Sequence, residues 1–109
     1  MVLKVFNQNG QTAAVALAEA IQYSIMMGAE ISNNSWGGIN HSQLLLDAIT
    51  NARDAGQIFV VAAGNLSPLA PVADNDSVAF YPASYASSLD NIVTAVSYTH
   101  LTLPTTLVV

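Results

Sequence analysis

The chain of 109 residues contains no cysteine. That excludes disulfides, thiol catalysis and cysteine-ligated metals, and it leaves the compartment open. Charge is nearly as scarce. Asp, Glu, Lys and Arg together make up 8% of the residues, where an ordinary soluble domain carries about 25%. Lys4 and Arg53 are the only basic residues apart from histidine, and they stand far apart in sequence. The net charge is −5 and there is no basic patch to neutralise a phosphate backbone, so nucleic acid is not an expected partner. Long apolar runs are missing as well. Even Ile58–Ala63, among the longest, is far too short to cross a bilayer, and no cationic start followed by an apolar stretch marks a secretion signal.

What is plentiful is apolar: 52% of residues are hydrophobic and the mean hydropathy is +0.44. A free-standing domain of this size exposes much of itself and needs more charge than this. The composition therefore reads as part of a larger protein that encloses most of these residues. Taken alone, the chain is expected to aggregate through open sheet edges and uncovered helix faces.

Val2–Phe6 reads as a first strand, followed by a turn at Asn7-Gln-Asn-Gly10. Thr12 is placed to cap a helix in which Ala14, Leu17, Ala18, Ile21 and Ile25 fall on one face, with Gly28 as its stop. Glu30–Trp36 reads as a second strand, released by Gly37-Gly38. Asn40 or Ser42 caps a second helix whose inward face carries Leu45, Ala48, Ile49 and Ala52 and which Gly56 ends. Ile58–Ala63 is a third strand, apolar on both faces and so suited to the inside of a parallel sheet. This alternation predicts an α/β fold of three layers, a parallel β-sheet flanked by helices with right-handed crossovers. From Leu66 to Ser88 the composition turns to Pro, Asp, Asn and Ser, which is loop chemistry.

Two strand ends carry the chemical signal: Ser32-Asn-Asn-Ser-Trp-Gly-Gly38 and Ile58-Phe-Val-Val-Ala-Ala-Gly-Asn65. Open parallel sheets bind ligands beyond the carboxyl ends of their strands. There an amide can donate to a developing oxyanion, and glycines let a peptide backbone approach. A Tyr81-Pro-Ala-Ser-Tyr85 loop and Asp90-Asn-Ile-Val-Thr94 follow in order. This ordered set resembles the subtilisin-like serine proteases, over roughly Val2 to Thr94.

The resemblance implies the following roles. Asn65 is an oxyanion-hole donor. Ser35, Trp36 and Gly37 form one wall of the substrate cleft, and Ala62, Ala63 and Gly64 form the other, so that an extended peptide bonds to both. Trp36 stands where the family often has Leu; its plain alternative is core packing. Phe80 matches the base of the main specificity pocket, where a bulky ring makes the pocket shallow and favours small side chains. No cofactor is required. Calcium is the one optional ligand of the larger protein: backbone carbonyls of Ala83 and Tyr85 match a weak cation site of the family, and Asp74-Asn-Asp76 could gather oxygen ligands or simply turn the chain. His41 is expected to be a solvated surface residue. Secretion or a cell-surface location is usual for such enzymes, and a peptide or protein is the implied substrate.

Residues 1–95 are expected to form a partial subtilisin-like peptidase domain. Residues 96–109, beginning Val96-Ser-Tyr-Thr-His100, look like translated sequencing-adapter readthrough rather than a continuation of it. The family's Asp motif, its His-Gly-Thr and its Gly-Thr-Ser-x-Ala do not occur here, so the triad is absent and this chain alone is expected to be inactive. One alternative is a catalytically dead subtilisin-like binding or scaffold domain, separable by whether a triad is encoded in flanking sequence. A second, a nucleotide- or sugar-binding α/β domain, is disfavoured because no glycine-rich phosphate loop follows the first strand.

Overall fold

The computed structural model describes residues 1–64 and 79–95. Two α-helices, α1 (Ala14–Met26) and α2 (Gln43–Asp54), accompany three strands, β1 (Ile31–Asn34), β2 (Ile58–Ala62) and β3 (Ile92–Ala95). A short 3₁₀ turn spans Ala83–Ser87. The strands form one parallel sheet in the order β1-β2-β3, with Ile31 opposite Ile58 and Phe59 opposite Ile92. Among the described residues no helix is long and apolar enough to cross a membrane.

The apolar faces read from spacing are the ones that pack. Leu17 and Ile21 of α1 join Leu45, Ala48, Ile49 and Ala52 of α2, Phe59 and Val61 of β2, and Ala83, Tyr85 and Leu89 in a single core. Phe59 and Ile49 are fully enclosed there. Alternation along β2 sends Phe59 and Val61 to the helices and leaves Ile58 and Val60 on the opposite face, where Ile58 is exposed. Both helices share one side of the sheet, so the described residues form two of the three expected layers. Ser42 is the N-cap of α2, its Oγ accepting from the Leu45 N–H at 3.3 Å. Gly28 and Gly56, just past the two helices, hold φ of +75° and +81°, which glycine adopts without strain.

Two local expectations are corrected. Val2–Phe6 is not a strand: among the described residues it belongs to no ladder, and it faces the outer edge of β1 across a groove of about 720 Å³, which is also lined by Leu17, Ile21 and Trp36. An extended segment becomes a strand only through a neighbour's hydrogen bonds, and across this groove it has none. Thr12 does not cap α1. Ala13 occupies the N-cap position without a side-chain bond, while the Thr12 hydroxyl donates to the Val5 carbonyl at 2.6 Å and ties the amino-terminal segment to the helix start.

One buried amide joins the layers. Gln57, 2% exposed, donates through Nε2 to the Ala29 carbonyl at 2.9 Å and to Ser24 Oγ at 3.1 Å, while its backbone carbonyl accepts from Asn91 Nδ2 at 3.1 Å. It thereby links the end of α1, the start of β2 and the approach to β3. Gln57→Leu keeps the volume but strands the Ala29 carbonyl. It is expected to lower unfolding free energy by about 1–3 kcal/mol, read as a shift in denaturation midpoint at unchanged slope.

Candidate functional site

Parallel pairing brings the carboxyl ends of β1 and β2 to the same edge of the sheet, and the glycines that follow them meet there. Both face one ring. A Cβ built on Gly37 would lie 2.5 Å from Phe80 Cε1, 2.6 Å from Phe80 Cζ and 2.7 Å from the Tyr81 carbonyl oxygen. A Cβ on Gly64 would lie 3.5 Å from Phe80 Cδ1. Phe80 therefore closes the space between the two strand ends from one side. Gly64 has a φ of +102°, a conformation that a side chain makes costly.

The ring is held by its own backbone. The Phe80 N–H donates to Ser84 Oγ at 3.0 Å, and the Phe80 carbonyl accepts from the Ser84 N–H at 2.8 Å. Next in sequence, Tyr81 makes a two-bond antiparallel bridge with Gly38: Gly38 N–H to Tyr81 O at 2.9 Å and Tyr81 N–H to Gly38 O at 2.7 Å. The loop after β1 and the 80–85 segment are thus stitched together beside the ring.

The residues singled out by sequence fall as follows. Ser35 is exposed at the end of β1. Trp36 is half-buried, packed against the core and lining the groove on the Val2–Phe6 side. Gly37, Gly64 and Phe80 come together at one edge. Ala62 ends β2, and the buried Ala63 extends its pairing, with its N–H bonded to the Ala95 carbonyl at 2.9 Å. Asn65 and Asp74-Asn-Asp76 lie outside the described residues, as does His100. No group of three or more His, Cys, Asp or Glu side chains is placed to hold a metal among the described residues. At Tyr85 the carbonyl oxygen accepts from the Ser88 N–H at 3.0 Å and the Leu89 N–H at 2.9 Å.

Sequence reasoning missed a cluster beside the bridge. His41 is exposed as expected, yet its Nδ1 lies 2.8 Å from the Tyr85 hydroxyl, and its ring meets Tyr81 and Tyr85 edge-on with centroids 5.7 Å away. The Tyr85 hydroxyl also accepts from the Ser42 N–H at 3.0 Å and donates to the Ser42 carbonyl at 3.0 Å. No local pattern could show this, because His41 and Tyr85 are 44 residues apart. Burial pushes the Tyr85 phenol above its ordinary value of 10.0; the Ser42 backbone bond lowers it and the neighbouring Tyr81 raises it further.

The sequence model of the family described as the Subtilase family matches residues 1–105. The chain is 35% identical over 98 residues to the minor extracellular protease Epr of Bacillus subtilis (strain 168), a match covering 90% of this chain and 13% of that protein. It is 31% identical over 85 residues to subtilisin DY of Bacillus licheniformis, covering 78% of this chain and 30% of that one. A solved psychrophilic protease superposes with a TM-score of 0.64 at 30% identity, covering 84% of this chain and 28% of the other. The chain thus spans less than a third of the length of each of these proteins.

Two outcomes are expected from this geometry. Gly37→Ala must displace either Phe80 or the Tyr81 backbone, with an expected loss of about 1–3 kcal/mol of stability. Adding Phe80→Leu should recover only part of it, because the Tyr81 carbonyl stays in the way; denaturation midpoints of the single and double variants check this. The raised Tyr85 pKa means that above pH 10.0 the unfolded chain releases a proton that the folded one keeps. The stability this represents is complete below that pH and is lost as pH rises through the folded-state value. Denaturation midpoints should therefore fall on the alkaline side, less so in Tyr85→Phe.

Proposed function

The chain belongs to the subtilase family, and on that premise we propose that the protein carrying it is a serine endopeptidase whose substrate cleft is walled by Ser35–Gly37 and Ala62–Gly64. The observation that supports this most directly is the convergence of Gly37 and Gly64 on the Phe80 ring at the carboxyl ends of adjacent parallel strands. An extended peptide lying between the two walls would bond to the backbone of each. Asn65 follows Gly64 directly, and its amide is assigned to the oxyanion of the tetrahedral intermediate. An Asp, a His and a Ser supplied from outside this chain perform the proton transfer and nucleophilic attack. His41 does not fill the triad's role, since its Nδ1 is engaged by a tyrosine hydroxyl. On this reading the chain by itself hydrolyses no peptide bond.

Phe80 sets the depth of the pocket. A phenyl ring packed onto Gly37 and Gly64 occupies space that a large substrate side chain would need, so residues with small side chains are preferred at the cleavage position. No cofactor enters the reaction. Secretion fits the extracellular protease among the relatives.

Asn65→Ala in the full-length protein is expected to lower kcat by on the order of a hundredfold or more at nearly constant KM, the loss known for such a donor in subtilisin. Steady-state kinetics on a peptide amide substrate would read it, and an unchanged kcat would remove the assignment.

A further inference from the structure

We propose that Tyr85 and His41 are positioning residues for the Phe80 ring, so that a hydroxyl at the start of α2 sets the shape of the substrate pocket. The inference rests on reading the groove as the substrate cleft. It concerns residues that touch neither substrate nor reacting atoms.

A phenol oxygen has one proton to give and two lone pairs to fill. At Tyr85 all three are used if the O–H donates to the Ser42 carbonyl and the oxygen accepts from the Ser42 N–H and from His41 Nδ1. That assignment requires a hydrogen on Nδ1, and it leaves Nε2 as the other nitrogen of a neutral ring. The hydroxyl is thus saturated by two consecutive residues of the loop that leads from β1 into α2. The same loop carries Gly37, which touches Phe80, and Gly38, which bridges Tyr81.

The loop after β1 and the 80–85 segment are therefore joined at two points, with Phe80 beside the first. The Gly38–Tyr81 bridge alone is a hinge of two bonds that leaves rotation about itself. The Tyr85 knot sits four residues further along one segment and three or four along the other, and it removes that freedom. Contact among the rings stiffens the span, with Tyr81 and Tyr85 tilted and their centroids 4.9 Å apart, and His41 edge-on to both. Tyr85 is itself anchored, being 4% exposed within the core. Removing its hydroxyl leaves the core intact and frees the loop, and the contact between Phe80 and Gly37 loosens.

Three readouts on the full-length protein labelled with ¹⁵N-glycine and ¹⁵N-histidine test this. First, the Gly37 amide signal, displaced by the adjacent ring, should move in Tyr85→Phe toward its position in Phe80→Ala, with the fold retained; a Gly37 signal that stays put overturns the proposal. Should Tyr85→Phe fail to fold, His41→Ala is the second variant, with a smaller movement expected in the same direction and immobility again overturning it. Second, the His41 ring nitrogens should show the proton on Nδ1; a hydrogen on Nε2 alone overturns the bonding scheme. Third, the ratio of kcat/KM for substrates cleaved after Ala and after Leu should fall about fivefold in Tyr85→Phe, the scale of one lost hydrogen bond. Equal losses on both substrates would mark a purely structural role and overturn the proposal. If Phe80→Ala leaves that ratio unchanged, the cleft reading is what fails, and the glycine signal still decides the positioning.

Discussion

Parallel pairing between β1 and β2 is the constraint from which the site follows. Ile31 sits opposite Ile58 and Asn34 opposite Val61, both strands running the same way. Parallel strands place their carboxyl ends together, so the residues just beyond them must share an edge. The register is not free to slip. Moving β2 by one residue would turn Phe59 and Val61, the two most enclosed side chains of the strand, to the face that no described helix covers. The apolar core thus fixes the register, and the register fixes the distance between Gly37 and Gly64. Site geometry is in this sense a product of core packing some residues away.

The helix-facing side of β1 is unusual in being polar. Ser32 and Asn34 point where Phe59 and Val61 do, and Asn34 is buried. Its amide is satisfied locally, donating to Ser32 Oγ at 2.8 Å and to the Val60 carbonyl at 3.3 Å. This removes the cost of an unpaired buried amide and adds a side-chain bond between β1 and β2 to the ladder itself. Gln57 acts similarly at the other end of the sheet through Ala29 and Ser24. Asn91 is less complete: Nδ2 bonds the Gln57 backbone carbonyl while Oδ1 is buried without a partner among the described residues.

Periodicity made the regular elements legible. The α2 face of Leu45, Ala48, Ile49 and Ala52 is buried as spacing required, and the Ser42 cap and the Gly28 and Gly56 stops stand where residue chemistry put them. Subtilase membership followed from four short motifs in order. Val2–Phe6 was misread because β-propensity describes a side-chain surface, whereas strand status depends on a neighbour that sequence does not show. Thr12 had two acceptable partners, a helix N–H and the Val5 carbonyl, and only the folded chain selects between them. The His41–Tyr85 contact was invisible for a different reason: it is a long-range product of topology, made by a histidine whose own neighbourhood looks like an ordinary loop.

Adjacent glycines at the end of β1 have different physical reasons to be glycine, and the difference bears on the cleft. At Gly37 a side chain would collide with Phe80 and the Tyr81 backbone whether or not any peptide is bound. The glycine is needed by the protein's own packing, and approach of a substrate need not be invoked for it. At Gly38 a Cβ would meet nothing within 4 Å, so packing makes no such demand, yet both backbone groups of Gly38 are taken by Tyr81. A peptide could not use Gly38 as a hydrogen-bonding rail without breaking the bridge that holds Phe80 in place. On the proposed reading of this edge as one wall of a substrate cleft, a rail would be made by Ser35 to Gly37, upstream of the bridge. Tyr81 would then mark its downstream limit, and the ring beside it its floor.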